Sequence, residues 1–391
     1  MGRVPRIGGP DLLRLALLAT GALCVATGLL PLGEAAAAMA EIGPLLLFLA
    51  GVVVLSELTR EAQVFDVVAT RLAIAGKGSY PALFFLCTAF ASLVTIFLNL
   101  DTTAILLTPV MLALAARAGI AALPLAMVTL WLANTASLLL PVSNLTNLLA
   151  MSSLNLTTVE FAGRMWAPQA ASIAVTLAFL WAFFWRRGAR GAERYEPPAP
   201  VPVADPVLCA GAGGACLAFV AAIFAGVAVG VAAAAAAVLV LALFAVRAPR
   251  RLVWSLVPWR LLVFVTGLFL VVPTLGRLGL TDLMNTLIGG GGAYRTAFTG
   301  AGLANLVNNL PAYAAARQAV PLHHGDQTLA LLIGANAGPL VTPWASLATL
   351  LWFEWCRRGR VRVPVAKVVL TGAGLAVAAV GSAVAALLLT A

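Results

Sequence analysis

The sequence predicts an all-α polytopic membrane protein: two inverted-topology repeats, about nine transmembrane helices, two re-entrant hairpins and broken helices at the membrane midplane. Three observations predict it. Hydrophobic residues make up 62% of the 391-residue chain and charged residues only 10%, against roughly a quarter charged in a soluble domain, and mean hydropathy is +1.03. The 24 Lys and Arg residues gather in short loops between apolar runs, which is topology information rather than a nucleic-acid footprint. An Asn–Pro element also recurs in the two halves at a fixed offset.

Taken in order, apolar runs at 11–31 and 38–55 form an outward and a returning span. Met1 to Leu30 has the look of a signal peptide, but the many spans that follow make it an uncleaved first helix. The segment 56–77 reads as an interfacial helix. Arg60, Arg71 and Lys77 precede the next apolar region and Arg117 follows it, so 80–118 enters and returns as a hairpin from the cytoplasmic side. The run 123–150 crosses outward, 157–168 reads as interfacial, and 170–185 returns to Arg186, Arg187, Arg190 and Arg194.

Residues 1–185 thus form the first repeat. Residues 186–206, Arg-rich and then Pro-rich, form a cytoplasmic linker. Residues 207–391 hold a connecting helix and the second repeat: spans at 207–229, 230–246 and 259–276, a hairpin at 295–320 dipping from outside, a broken helix at 326–352 and a last span at 364–390. This threading leaves only Arg164, Arg277, Arg295 and Arg317 outside. The N-terminus lies in the cytoplasm and the C-terminus outside the inner membrane.

The repeat is legible in single residues. Ala133-Asn134 precedes Pro141 as Ala335-Asn336 precedes Pro343, an offset of 202 (336 − 134). Leu-to-Leu matches between apolar helices carry little weight; the Asn and Pro matches carry more. A polar hairpin tip precedes each element, Asn99–Thr103 in the first half and Asn305–Pro311 in the second. The threading gives the two units opposite orientation, an architecture of secondary transporters.

Pro141 and Pro343 lie in mid-span, where each removes a backbone donor and breaks a turn. Ser143, Asn144, Thr146 and Asn147 follow the first; Ser346 and Thr349 follow the second. Such breaks read either as kinks satisfied by a neighbouring helix or, because two match, as a binding site built from freed backbone groups. Asp101 is the only acidic residue deep in an apolar region. It serves as an N-cap at the hairpin tip, as a proton carrier or cation ligand, or as both.

Other signals are weaker. His323 and His324 are adjacent rather than at metal-ligand spacing and read as loop residues. Arg317 reads as an interfacial anchor or an anion attractor. The five cysteines are scattered through apolar segments as small hydrophobes. No Walker A sequence, no Gly-x-Ser-x-Gly elbow and no cofactor or metal motif stands in the chain.

Three stretches carry a resemblance: Asn99 through Pro109, Ser143-Asn144-Leu145-Thr146-Asn147, and Gly334 through Trp352, with Asn305 through Pro311 beside them. There the chain resembles the arsenite permease branch of the ion transporter superfamily, which also holds citrate, dicarboxylate and sodium–proton transporters. The resemblance implies a homodimer with a scaffold and a moving transport domain, working by alternating access. It implies a site between the hairpin tips and the broken helices.

On that basis the expected function is proton-coupled efflux of arsenite or antimonite. Asp101 would carry the proton. Asn99, Thr102, Thr103, Asn144, Asn147, Asn308, Asn309, Ser346 and Thr349 would bind a neutral hydroxide, and Pro141 and Pro343 would mark the breaks. The alternatives are a sodium- or proton-coupled transporter of an organic or inorganic anion, held by half-helix N-termini, and a channel with the breaks as its filter. The chain departs from the dicarboxylate branch, whose hairpin tips read Ser-Asn-Thr. Where arsenite-type permeases often carry Ile-Thr-Pro-x-Gly-Ser, it reads Val341-Thr342-Pro343-Trp344-Ala345-Ser346. The resemblance allows a separate ATPase subunit docked on the Arg-rich inner loops. No nucleic-acid partner and no enzymatic chemistry are expected.

Overall fold

The computed structural model describes residues 9–186, 194–320 and 325–390; His323, His324, Arg187 and Arg190 lie outside the described residues. Every regular element described is helical. Eight of the described helices, or runs of joined helices, are long and apolar enough to cross a membrane.

In the first half, α1 (Gly9–Ala26), α2 (Leu32–Glu61) and α3 (Val64–Ala75) lead to a helix–tip–helix unit. Its arms are α4 (Tyr80–Phe97) and the run Leu100–Arg117, made of α5 (Leu100–Thr102), a π turn (Thr103–Leu107) and α6 (Thr108–Arg117). Ser79 caps α4 with Pro81 in its first turn, as both residue types favour. Pro109 supplies no N–H to the turn before it, which is where the π turn sits. Next comes the first interrupted helix, α7 (Ala122–Thr135) and α8 (Leu145–Leu154). Then α9 (Thr158–Leu180) opens on a Thr157–Glu160 capping box and ends in a π turn over Trp181–Trp185.

The second half opens on four helices where the first has three. Asp205 caps α10 (Pro206–Phe224); α11 (Val229–Arg247) and α12 (Trp259–Leu275) follow. At Gly279 the backbone takes a φ of 105°, which glycine adopts without strain, and the chain kinks into the short amphipathic α13 (Thr281–Ile288). Then come a second helix–tip–helix unit, α14 (Ala293–Val307) and α15 (Asn309–Ala316), and a second interrupted helix, α16 (Gly325–Ala337) and α17 (Leu347–Arg358). The closing helix is α18 (Val365–Leu389).

The helices sort into two packing groups. One joins α1 to α12, α2 to α11 and α12, and α10 to α11. The other joins α4 and α6 to α7, α9 to α18, and α14 to α16 and α18. Small residues let backbones approach closely, as membrane helices require. A Cβ on Gly51 would lie 2.8 Å from the Ala233 backbone, and one on Gly334 would overlap the Ala297 carbonyl between α16 and α14.

Two boundaries differ from the sequence reading. Residues 56–61 belong to α2, because nothing in Ser56-Glu57-Leu58-Thr59-Arg60 interrupts a helix and the first break is Gln63 at a left-handed φ of 63°. Residues 157–168 are the first turns of α9, not a separate interfacial helix, since the capping box starts one helix that runs through Pro168. The linker is also less detached than its composition suggests. Tyr195 is buried, donates to the Ala73 carbonyl at 2.6 Å, and stands edge-on to Tyr80.

Candidate functional site

The first tip is organised by Asn99. Its Oδ1 accepts from the amides of Asp101 at 2.7 Å and Thr102 at 3.2 Å, so Asn99, not Asp101, is the N-cap. This corrects the capping role for Asp101: a side chain two positions earlier already satisfies those amides. The buried Asp101 Oδ1 has no hydrogen-bond partner. Thr102 donates to Ser56 of α2 at 3.2 Å. Thr103 turns inward, bonding Thr95 at 2.9 Å and the Asn99 carbonyl at 3.1 Å.

The second tip is tied to the second break. Asn308, at a φ of 96°, accepts from the Leu310 amide and donates to the Trp344 carbonyl at 2.9 Å. The Asn309 amide donates to the Ala345 carbonyl at 2.9 Å. Asn305 does more than either. Its Oδ1 accepts from the amides of Val341 and Thr342 at 3.0 and 3.2 Å, and its Nδ2 donates to the Gly338 carbonyl at 2.8 Å. Gln169 does the same work at the first break from α9. There Oε1 accepts from the Leu138 and Leu139 amides at 2.7 and 3.1 Å, and Nε2 donates to the Thr135 carbonyl at 3.0 Å. A carboxamide suits both places, since it alone offers an acceptor for the freed amides and a donor for the freed carbonyl.

Helix N-termini restart the chain after each break. Asn144 caps α8 and Ser346 caps α17, again 202 residues apart, and Ser346 also bonds the Thr349 hydroxyl at 2.9 Å. Pro141 and Pro343 lie within the breaks. Asn147 donates to the carbonyls of Ser137 and Leu140, both at 2.8 Å. Asn336 bridges the halves, accepting from Thr146 at 2.6 Å and donating to Asn147 Oδ1 at 2.7 Å. Its counterpart Asn134 donates only within its own helix, to Leu130, and leaves its buried Oδ1 unpartnered. The Asn144 Nδ2 is likewise buried and unpartnered.

Between the two packing groups lies a cavity of about 980 Å³. Apolar side chains of α1, α2, α12 and α13 form one wall; the tips and the second break form the other. Of the residues singled out in the sequence, Asp101, Thr102 and Asn308 line it. Asn99 is buried within the first tip, Asn144 and Asn147 sit in the buried network between the breaks, and Thr349 faces a much smaller pocket with Pro343. The cavity also holds Ser56, Glu57, Arg14 and Arg260. Gln169, Asn305, Asn336 and Ser56 were not singled out as site residues. Asn305 and Asn336 stand within the quoted motifs, and Gln169 is a lone carboxamide in an apolar helix, a visible signal. Ser56 became relevant only when α2 extended past residue 55. Arg317 donates to Ser153 at 3.3 Å and lies over the Phe269 ring. Among the described residues no cluster of side chains has a metal-binding arrangement.

A multi-pass helical protein with paired helix breaks and tips beside a large cavity has the architecture of a membrane transporter for small solutes. Residues 11–349 match the family described as Citrate transporter, and the chain belongs to that family. It is 28% identical to the arsenical pump membrane protein of Yersinia enterocolitica, over 78% of this chain and 76% of the relative. It is 27% identical to that of Escherichia coli over the same shares, and 25% identical to a putative arsenical pump membrane protein of Bacillus subtilis over 73% and 74%. In fold it is similar to the Alcanivorax borkumensis YdaH transporter, at a TM-score of 0.59 and 14% identity, over 97% of this chain and 98% of that one. The protein is therefore a transporter in a lipid bilayer, not an enzyme.

Proposed function

We propose that the protein is a proton-coupled efflux carrier for arsenite and antimonite in the inner membrane, working by alternating access. One observation carries the reading: the Asp101 carboxylate, with an unpartnered buried oxygen, shares the cavity with the neutral hydrogen-bonding side chains of Ser56, Thr102 and Asn308. A neutral trihydroxide such as arsenous acid needs donors and acceptors, not a fixed charge, and the Asp101 carboxyl, without the arginine partner that Glu57 has in Arg60, suits exchange against one proton. Asn99, Thr102, Thr103, Asn144, Asn147, Asn308, Asn309, Ser346 and Thr349 supply or support those groups. The breaks at Pro141 and Pro343 provide freed backbone polar atoms. The arsenical pump relatives support this substrate.

In this reading the two packing groups are a scaffold and a transport domain in a homodimer. The two halves are inverted repeats, with the N-terminus cytoplasmic and the C-terminus outside. A separate ATPase subunit would dock on the Arg-rich inner face.

A second reading, transport of an organic anion with sodium or protons, draws on the family's citrate description and on Arg14 and Arg260 in the cavity wall. Uptake into everted vesicles tests both. Arsenite uptake that needs the proton gradient and vanishes in Asp101→Asn supports the first; indifference to arsenite with gradient-driven citrate uptake replaces it with the second.

A further inference from the structure

The cavity holds a second carboxylate that the sequence reading left outside the membrane. Because α2 runs unbroken to Glu61, the turn carrying Ser56 and Glu57 is brought against the first tip, where Thr102 bonds Ser56 at 3.2 Å. Glu57 and Asp101 then line one cavity. Asp101 has no protein partner for its buried oxygen, whereas Glu57 begins a chain of ion pairs. Arg60 bonds Glu57 at 3.0 Å and Glu61 at 2.8 Å, and Glu61 in turn bonds Arg251 at 2.8 Å. The two ends of this chain differ in side-chain exposure, 25% at Glu57 and 49% at Arg251. It leads from the cavity to the solvated end of α2.

Resting on the proton-coupled reading above, we propose that Glu57 is the proton-relay partner of Asp101, taking its proton through cavity water and passing it to solvent at the end of α2. The step balances: the Asp101 carboxyl gives up one proton, the Glu57 carboxylate gains one, and Glu57 then returns to its ionised form by release to water. The charged groups near Glu57 are Arg60 and Glu61 of its own helix, with Arg14 of α1, Arg260 of α12 and Asp101 of the first tip lining the same cavity. Arg60 keeps Glu61 as a partner when Glu57 is neutralised, so replacing Glu57 does not strand a cation. The volume of the cavity accommodates several waters between the two carboxyls.

The test uses full-length protein in proteoliposomes, with wild type, Glu57→Gln, Glu57→Asp and Asp101→Asn. Two rates are read: arsenite exchange at equal concentrations without a pH gradient, and arsenite uptake with proton flux under an imposed gradient. Glu57→Gln is expected to exchange at the wild-type rate yet lose about ten-fold or more of gradient-driven uptake and proton flux, with Glu57→Asp restoring most of both. A proton-coupled wild type with Glu57→Gln unchanged overturns the relay alone. So does a folded Glu57→Gln that loses exchange together with driven uptake, since Glu57 would then be a binding or structural group. If wild type ignores arsenite, the same proteins are run with citrate. A wild type that couples neither solute to protons removes the proposed function and the relay together.

Discussion

Asn134 and Asn336 occupy matching places at the ends of α7 and α16, yet only Asn336 ties the two halves together. Truncating it would leave the Thr146 hydroxyl and the Asn147 carbonyl oxygen buried without partners. Such groups cost about 1–3 kcal/mol each. Asn336→Ala is therefore expected to lower the thermal midpoint in detergent well below that of wild type. Asn134→Ala, which loses one bond to its own helix and frees an oxygen that already lacks a partner, should shift it much less. Equal shifts would mean that the bridge contributes nothing particular. The sequence showed both asparagines, through their fixed distance to a proline. It did not show which one bridges, because that depends on what the opposite break offers. The first break presents Thr146 and Asn147, and the second, at the same offset, presents Ala348 and Thr349.

At the scale of the element, two features set how helices meet. On α16, Gly334 lies where any side chain would meet the Ala297 carbonyl of α14, while Gly302 on the same α14 faces open space. Gly334→Ala should destabilise by about 1–3 kcal/mol through overpacking, and Gly302→Ala should be neutral or stabilising by up to about 1 kcal/mol; thermal unfolding of both separates packing from helix propensity. At the start of α10, the Arg247 side chain bonding Asp205 holds that carboxyl below its ordinary value of 3.8, helped by the amides of Leu208 and Val207. A folded value below the unfolded one means the carboxylate stabilises the fold above the unfolded value, and that this contribution fades as pH falls through the lower folded one. Asp205→Asn should accordingly flatten the acid limb of a melting-point-versus-pH curve and leave its neutral limb lower. An acid limb identical to that of wild type would count against the pair. Caps such as Ser79, Thr157 and Asp205 act within a few residues of sequence. The length of α2 was not legible: its last turns are polar in composition but helical in propensity, and only packing shows that one polar face lines a cavity.

For the molecule as a whole, the long apolar helices and the breaks at Pro141 and Pro343 could be read from hydropathy and prolines, because each is a local cost that the bilayer imposes everywhere. The partition into two packing groups could not, since it rests on which small residues oppose one another across tens of positions. That partition has a functional consequence. The Ser56–Thr102 bond crosses from α2, in one group, to the first tip, in the other. If transport moves the groups past each other, this contact must break in every cycle. With Oγ atoms 3.2 Å apart, cysteines at both positions come close to the reach of a disulfide. In a background where Cys24, Cys87, Cys209, Cys216 and Cys356 are replaced, Ser56→Cys/Thr102→Cys should transport when reduced, stop on oxidation, and recover with dithiothreitol; each single variant should be insensitive to oxidant. Oxidised protein that is shown by gel mobility to be cross-linked, yet still takes up solute at the reduced rate, would mean that α2 and the first tip travel together. The moving boundary would then lie elsewhere, on the far side of α2.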